Sequence, residues 1–214
     1  MTFLFYDLET SGLAPAWNVL LQAAFVTTDG DLYPLHETVL RARLPAHVVP
    51  APDALLVTGL DPDRIEAGPL SQLELMRAIA GILEAASPAA IIGFNTMAYD
   101  EEVLRHGFFQ TLQPPYATSM PGFARADVLI MLRAVAMLTP GAITIPVTPA
   151  GRPSMRLGPV CRANGIAFEE ADASSNLPPC HCTPTSNSRA SIGAEKKGPQ
   201  ASCELFNPTT KHFD

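Results

Sequence analysis

The first residues able to do chemistry in this chain are Asp7 and Glu9, set in Phe5-Tyr6-Asp7-Leu8-Glu9-Thr10. On an extended strand, side chains two apart share a face, so both carboxylates point the same way, roughly 6.5–7 Å apart along the chain. Like charges so placed repel unless something positive lies between them, and hard divalent ions such as Mg²⁺ take oxygen ligands. The competing reading is a strand end whose acids simply reach solvent. For an isolated Asp-x-Glu that plainer reading is the commoner one.

Further acids stand in Tyr99-Asp100-Glu101-Glu102-Val103. The pattern puts them in the first turn of a helix, where the positive dipole end favours acids for structural reasons alone. Asp127 opens another helical stretch and is assigned the same structural role. Arg156, taken alone, is an ordinary solvated arginine. Phe3, Phe5, Phe25 and Phe94 are assigned to the core, although aromatics at a site rim can also stack on bases.

The elements that must position these groups alternate between strand and helix. Thr2–Leu8 is an apolar and aromatic strand. Val19–Thr27 and Glu37–Leu44 follow as strands, with Asp29-Gly30-Asp31 as the turn between them. Pro50–Asp53 and Asp61–Gly68 are rich in turn residues. Ser71-Gln72-Leu73-Glu74 is a capping box that starts a helix with Leu73, Met76, Ile79, Ala80 and Leu83 on its apolar face. Ala89–Phe94 reads as a buried strand, Asp100–Phe109 as a helix and Ala126–Leu138 as another. The order predicts an α/β fold, a mixed sheet with helices packed on it.

Composition bounds the answer. The chain has 214 residues, 47% of them hydrophobic and 16% charged, which suits a globular body. No apolar run approaches the roughly 18–20 residues that span a bilayer, and no secretory signal opens the chain, so a cytoplasmic protein is expected. The formal charge of −7 speaks mildly against a whole-surface nucleic-acid binder, yet a carboxylate-built site and a local arginine groove are compatible with it. No Gly-rich dinucleotide fingerprint, P-loop or nucleophile elbow is present.

Near residue 173 the composition changes. Residues 1–173 contain no lysine, whereas Lys196, Lys197 and Lys211 lie beyond, with Cys180, Cys182 and Cys203. Residues 174–214 are crowded with Ser, Pro, Thr and Asn and show neither helical nor strand periodicity, which predicts a disordered tail. Cys180-His181-Cys182 with Cys203 and His212 does not have the spacing of a zinc site and is read as incidental. A structural disulfide is not expected in a cytosolic chain.

The ordered run of motifs weighs more than any one of them. Asp7-Leu8-Glu9-Thr10-Ser11-Gly12-Leu13 is followed by Gln22-Ala23-Ala24, Leu56-Val57-Thr58-Gly59-Leu60, Gly93-Phe94-Asn95 and Tyr99-Asp100-Glu101-Glu102-Val103. Then come Arg125-Ala126-Asp127, Arg133-Ala134, Ser154-Met155-Arg156-Leu157 and Ala163-Asn164-Gly165-Ile166. Over residues 2–173 the chain resembles the DEDD 3′→5′ exonucleases of the RNase H-like superfamily, and within them the bacterial exodeoxyribonuclease I family. The resemblance implies an RNase H-like mixed sheet flanked by helices, and hydrolysis of single-stranded DNA to 5′-mononucleotides with two Mg²⁺ ions, Mn²⁺ being an acceptable substitute. It makes Asp7, Glu9 and Asp100 catalytic metal ligands, has Glu9 also touch the terminal sugar, and has Arg156 contact the bound strand. Single-stranded DNA and a single-strand DNA-binding protein are the implied partners of a monomeric chain.

The sequence also departs from that family. There a His, acting as base on the attacking water, and a last metal-binding Asp follow the Asn-Gly-Ile segment. Here Ala167–Ala173 and Ser174-Ser175-Asn176-Leu177-Pro178-Pro179 follow it, His181 lies between two cysteines, and Ser186 stands where the Asp is due. Gly158-Pro159 is a second departure, because a proline breaks a helix unless it sits at the helix start. The reading is an exonuclease domain over 1–173, incomplete at its C-terminal end through truncation or frame shift, with impaired activity. The alternatives are an inactive remnant that binds metal or DNA ends, and an RNA-trimming or proofreading relative.

Overall fold

The computed structural model describes residues 2–58 and 61–166. The expected tail, the Cys-His-Cys segment and the positions due to carry the His and last Asp lie outside those residues, as do Gly59 and Leu60. Five strands, β1 (Thr2–Thr10), β2 (Leu20–Thr28), β3 (Pro34–Arg41), β4 (Ala89–Gly93) and β5 (Phe123–Asp127), form one mixed sheet in the order β3-β2-β1-β4-β5. β1 pairs antiparallel with β2 and parallel with β4; β3 is antiparallel to β2, and β5 parallel to β4. Six helices accompany it: α1 (Pro52–Thr58), α2 (Pro62–Glu66), α3 (Gln72–Ala86), α4 (Asp100–Gln110), α5 (Val128–Leu138) and α6 (Leu157–Ala163). Among the described residues no helix is long and apolar enough to cross a membrane.

The alternation along β1 decides which face of the sheet is which. Leu4, Tyr6, Leu8 and Thr10 are buried, while Phe3, Phe5, Asp7 and Glu9 between them stay half-exposed. The buried set joins Ala23 and Phe25 of β2, Ile91 of β4, Leu75, Met76, Ile79 and Leu83 of α3, and Val103, Leu104 and Phe108 of α4 in one core. Each large apolar side chain so enclosed contributes on the order of 1.5–3 kcal/mol. Tyr6 and Phe25, partners across the β1–β2 pair, stack with ring centroids 6.2 Å apart. α3 and α4 pack closely at Gly107, where a Cβ would meet the Met76 sulfur at 2.9 Å.

Several expectations need correction. The stretches taken as turns around Pro50–Asp53 and Asp61–Gly68 contain α1 and α2, because Pro and Asp serve helix starts as well as turns. Asp61 caps α2, its Oδ1 accepting from the Asp63 amide at 3.1 Å. Ala126 and Asp127, read as helix, end strand β5, where parallel pairing with Ile92 and Gly93 overrides local preference. The capping box of α3 is present, but Leu73 is 39% exposed and Leu75 takes the core position. Of the four phenylalanines assigned to the core, only Phe25 is buried; Phe3, Phe5 and Phe94 are intermediate. β3 runs Pro34–Arg41, three residues earlier than the expected Glu37–Leu44 at each end. Pro159 is the third residue of α6, in the first turn, where amides have no helical partner to lose.

Candidate active site

Parallel strands β1, β4 and β5 all end at the same edge of the sheet, and in open α/β sheets that edge is where ligands bind. β1 carries Asp7, opposite Ala24, and Glu9, opposite Gln22, on its half-exposed face. β4 leads through Asn95 and a short 3₁₀ turn, Thr96–Ala98, into α4, whose first residue is Asp100. β5 ends on Asp127. A close approach makes this route possible: a Cβ on Gly93 would lie 2.0 Å from Cγ2 of Thr96.

The three acids that open α4 do three different things. Asp100 has no exposed surface at all, a costly place for a carboxylate unless partners and the helix dipole support it. Glu101 is held inward: Tyr6 Oη donates to its Oε1 at 3.2 Å and Thr118 Oγ1 to its Oε2 at 2.5 Å, with Arg125 Nη1 at 3.5 Å. Glu102 faces water and pairs with Arg105, which holds its carboxyl below the usual range. An acid-rich first turn is thus half structural anchor and half buried site.

Tyr99 ties this turn to β1. Its hydroxyl donates to the Gly12 carbonyl and lies 2.7 Å from Thr10 Oγ1, which also donates to Gly12 O at 2.8 Å. Burial raises the Tyr99 phenol above its ordinary value; the Thr10 bond opposes that, and the charges of Asp100 and Glu9 add to it. Both acids therefore bear on one buried hydroxyl. Tyr6 is raised well above its ordinary value, first by burial and then by Glu101 and Asp100.

Asp127 fastens the other side. Its Oδ1 accepts from the amides of Asn95 and Leu129, both at 2.9 Å, and its Oδ2 from Met97 at 3.1 Å. One buried carboxylate caps α5 and shapes the turn that delivers Asp100. Arg156 stands at the N-cap position of α6 with an exposed side chain.

The donor chemistry of Asp7, Glu9 and Asp100, all carboxylate oxygen, fits a hard divalent ion. Among the described residues, however, no three His, Cys, Asp or Glu side chains form a group that could hold a metal ion. The acids share one end of the sheet without closing into a cage. Tyr99, Glu101 and the bridging role of Asp127 were not anticipated as site supports. Their partners lie 17 to 95 residues away, and no local pattern announces such contacts.

No family model matches the chain. Among curated proteins, exodeoxyribonuclease I of Haemophilus influenzae is 32% identical over 173 residues, 79% of this chain and 36% of that protein. Exodeoxyribonuclease I of Escherichia coli is 33% identical over 172 residues, again 79% of this chain and 36% of the relative. The chain thus spans little more than a third of the length of these relatives. Among solved structures, a product-bound exonuclease I superposes with a TM-score of 0.75 at 31% identity, covering 79% of this chain and 40% of that one. E. coli exonuclease I in complex with a dT13 oligonucleotide gives 0.74 at 30% identity, over 78% of this chain and 36% of that one. The five-stranded mixed sheet with its flanking helices is accordingly the RNase H-like fold of those proteins, and the matched part of the chain belongs to the exodeoxyribonuclease I family.

Proposed function

We propose that this chain is a 3′→5′ exonuclease domain that removes 5′-mononucleotides from single-stranded DNA. The observation that carries the reading is the joining of β1, with Asp7 and Glu9, to the buried Asp100 through the Tyr99 hydroxyl. Family membership supplies the reaction class; this geometry supplies the residues. Asp7, Glu9 and Asp100 hold two divalent ions, Mg²⁺ or Mn²⁺, and Glu9 also orients the terminal sugar. When bound, the ions supply water activation and stabilise the leaving 3′ oxygen of an in-line displacement. Arg156 contributes a charge-assisted contact to the strand. Domain 1–173 is the working unit, monomeric and cytoplasmic. Its proposed partners are single-stranded DNA and a single-strand DNA-binding protein, as with the similar complexes of exonuclease I with an oligonucleotide and with SSB-Ct.

Turnover is proposed to be weak. Residues 167–186 hold neither the His nor the Asp that the family pattern requires at that spacing. A missing general base costs roughly 10²–10⁴-fold in rate. A second reading, a binder of metal or DNA ends without turnover, is favoured by the absence of a three-residue metal group among the described residues. Hydrolysis of a 5′-labelled single-stranded oligonucleotide by pure protein decides between them. A slow Mg²⁺- or Mn²⁺-dependent ladder of products shortened from the 3′ end supports the enzyme. No ladder, with end-binding retained, supports the binder. Release of a mononucleotide from the 5′ end would overturn both.

A further inference from the structure

The face that carries the acids continues sideways across the sheet. Glu9 on β1 stands opposite Gln22 on β2, and Gln22 opposite Arg41 on β3, so the three form one cross-strand row. With strands about 4.8 Å apart, the Arg41 backbone lies roughly 10 Å from that of Glu9. Gln22 Oε1 accepts from Arg41 Nε at 2.8 Å, which fixes the guanidinium while leaving both of its Nη groups as donors. Gln22 and Arg41 line a cavity of about 30 Å³ together with Leu21, Ala42, Arg64 and Ile65. Arg64 reaches it from the last turn of α2, a helix anchored by the buried Ile65.

Two guanidiniums on one small cavity reverse the local sign in a chain of net charge −7. Solvated arginines scattered over a surface would account for one such group. A pair lining one cavity, with one member preset by Gln22, presents planar forks suited to an oxyanion. We propose that Arg41 and Arg64 form a phosphodiester subsite, binding the backbone of the single strand whose 3′ end reaches Glu9. The identity of the strand rests on the exonuclease reading above; the anion chemistry does not. The subsite also supplies positive charge on the one face of the sheet where two carboxylates would otherwise repel DNA.

The test is the salt dependence of binding of a fluorescent oligo(dT) to the full chain, with Ca²⁺ replacing Mg²⁺ to suppress hydrolysis. For single strands, log K falls with log salt by about 0.7 for each phosphate neutralised. Arg41→Ala and Arg64→Ala should each reduce that slope by up to about 0.7, and Arg41→Lys should keep it. A merely structural arginine would change stability and leave the slope alone, and circular dichroism reports whether each variant is folded. Oligo(dT) bound with an unaltered slope in both alanine variants overturns the subsite and leaves the exonuclease reading standing. Failure of the wild-type chain to bind oligo(dT) overturns both. Inorganic phosphate that competes as well as the oligonucleotide at equal ionic strength would make this a small-anion site and overturn the phosphodiester assignment.

Discussion

The Tyr99 hydroxyl lies 2.7 Å from Oγ1 of Thr10, and both groups meet the carbonyl of Gly12. Thr10 ends the strand that carries Asp7 and Glu9, and Tyr99 immediately precedes Asp100. Eighty-nine residues of sequence separate the two hydroxyls, and one contact brings both halves of the candidate site into register. The same loop is braced from its far side, where the Ser11 amide donates to the Val19 carbonyl at 2.9 Å and the Ala51 amide to the Ser11 carbonyl at 2.8 Å.

Tyr99→Phe removes that contact while keeping the ring in the core. Loss of a buried hydrogen bond of this kind costs about 1 kcal/mol, measurable as a lower urea midpoint at unchanged m-value. The substitution should also weaken ion binding, because Glu9 and Asp100 lose their common reference. A stability loss with metal affinity untouched would confine Tyr99 to packing.

Alkali should unfold the protein through its buried phenols. Tyr6 and Tyr99 both titrate above the ordinary phenol value of 10.0, burial being the first cause in each. The unfolded chain releases these protons near that value while the folded chain retains them. Their contribution is therefore fully present below pH 10 and is lost as pH rises through the folded-state values. Denaturation midpoints should fall above pH 10, and less steeply in Tyr6→Phe. Equal slopes in the two proteins would remove Tyr6 from the account.

How far the sequence discloses this arrangement depends on the range of each interaction. Strand β1, the α3 capping box and the acid-rich start of α4 are legible because their causes lie within a few residues: alternation, Ser71 with Glu74, and the helix dipole. Strand β5 is not legible, since Phe123–Asp127 becomes extended by pairing with β4 more than thirty residues earlier. Nor is Leu75 in place of Leu73, which follows from the side from which α3 meets the sheet. Asp7, Glu9 and Asp100 can be named from ordered motifs. The inward hold on Glu101 cannot, because Tyr6, Thr118 and Arg125 come from three separate elements or turns.

Asp127 is expected to be the costliest single acid to remove for stability. Asp127→Ala takes away the α5 cap and leaves the Asn95 and Met97 amides without their acceptor. A lost cap with unsatisfied buried amides together amount to roughly 3 kcal/mol. Asp127→Asn retains one acceptor oxygen and should cost less. Hydrogen exchange adds a local readout: the Asn95 and Met97 amides should lose protection before the β1 core does. Uniform loss of protection across the sheet would mean that Asp127 supports the whole fold and not this turn.

The acids of the site itself should behave in the opposite way. Asp7 and Glu9 face the same way on β1, and Asp100 is wholly buried at the adjoining helix start, so negative charge is concentrated where folding gains little from it. Sites of this kind trade stability for function. Without metal, Asp7→Asn and Glu9→Gln should unfold at or above the wild-type temperature. With Mg²⁺ or Mn²⁺ the order should reverse, since an ion that binds only the folded state adds about 2.7 kcal/mol at a hundred times its Kd. Wild type should therefore show a metal-dependent rise in melting temperature that both variants and Asp100→Asn lack. Loss of even an outer partner of a metal ligand commonly costs about 10–100-fold in affinity, so removal of a ligand should cost at least that. A wild-type melting curve indifferent to both ions would show that these three carboxylates, despite their common edge, do not hold metal in this chain.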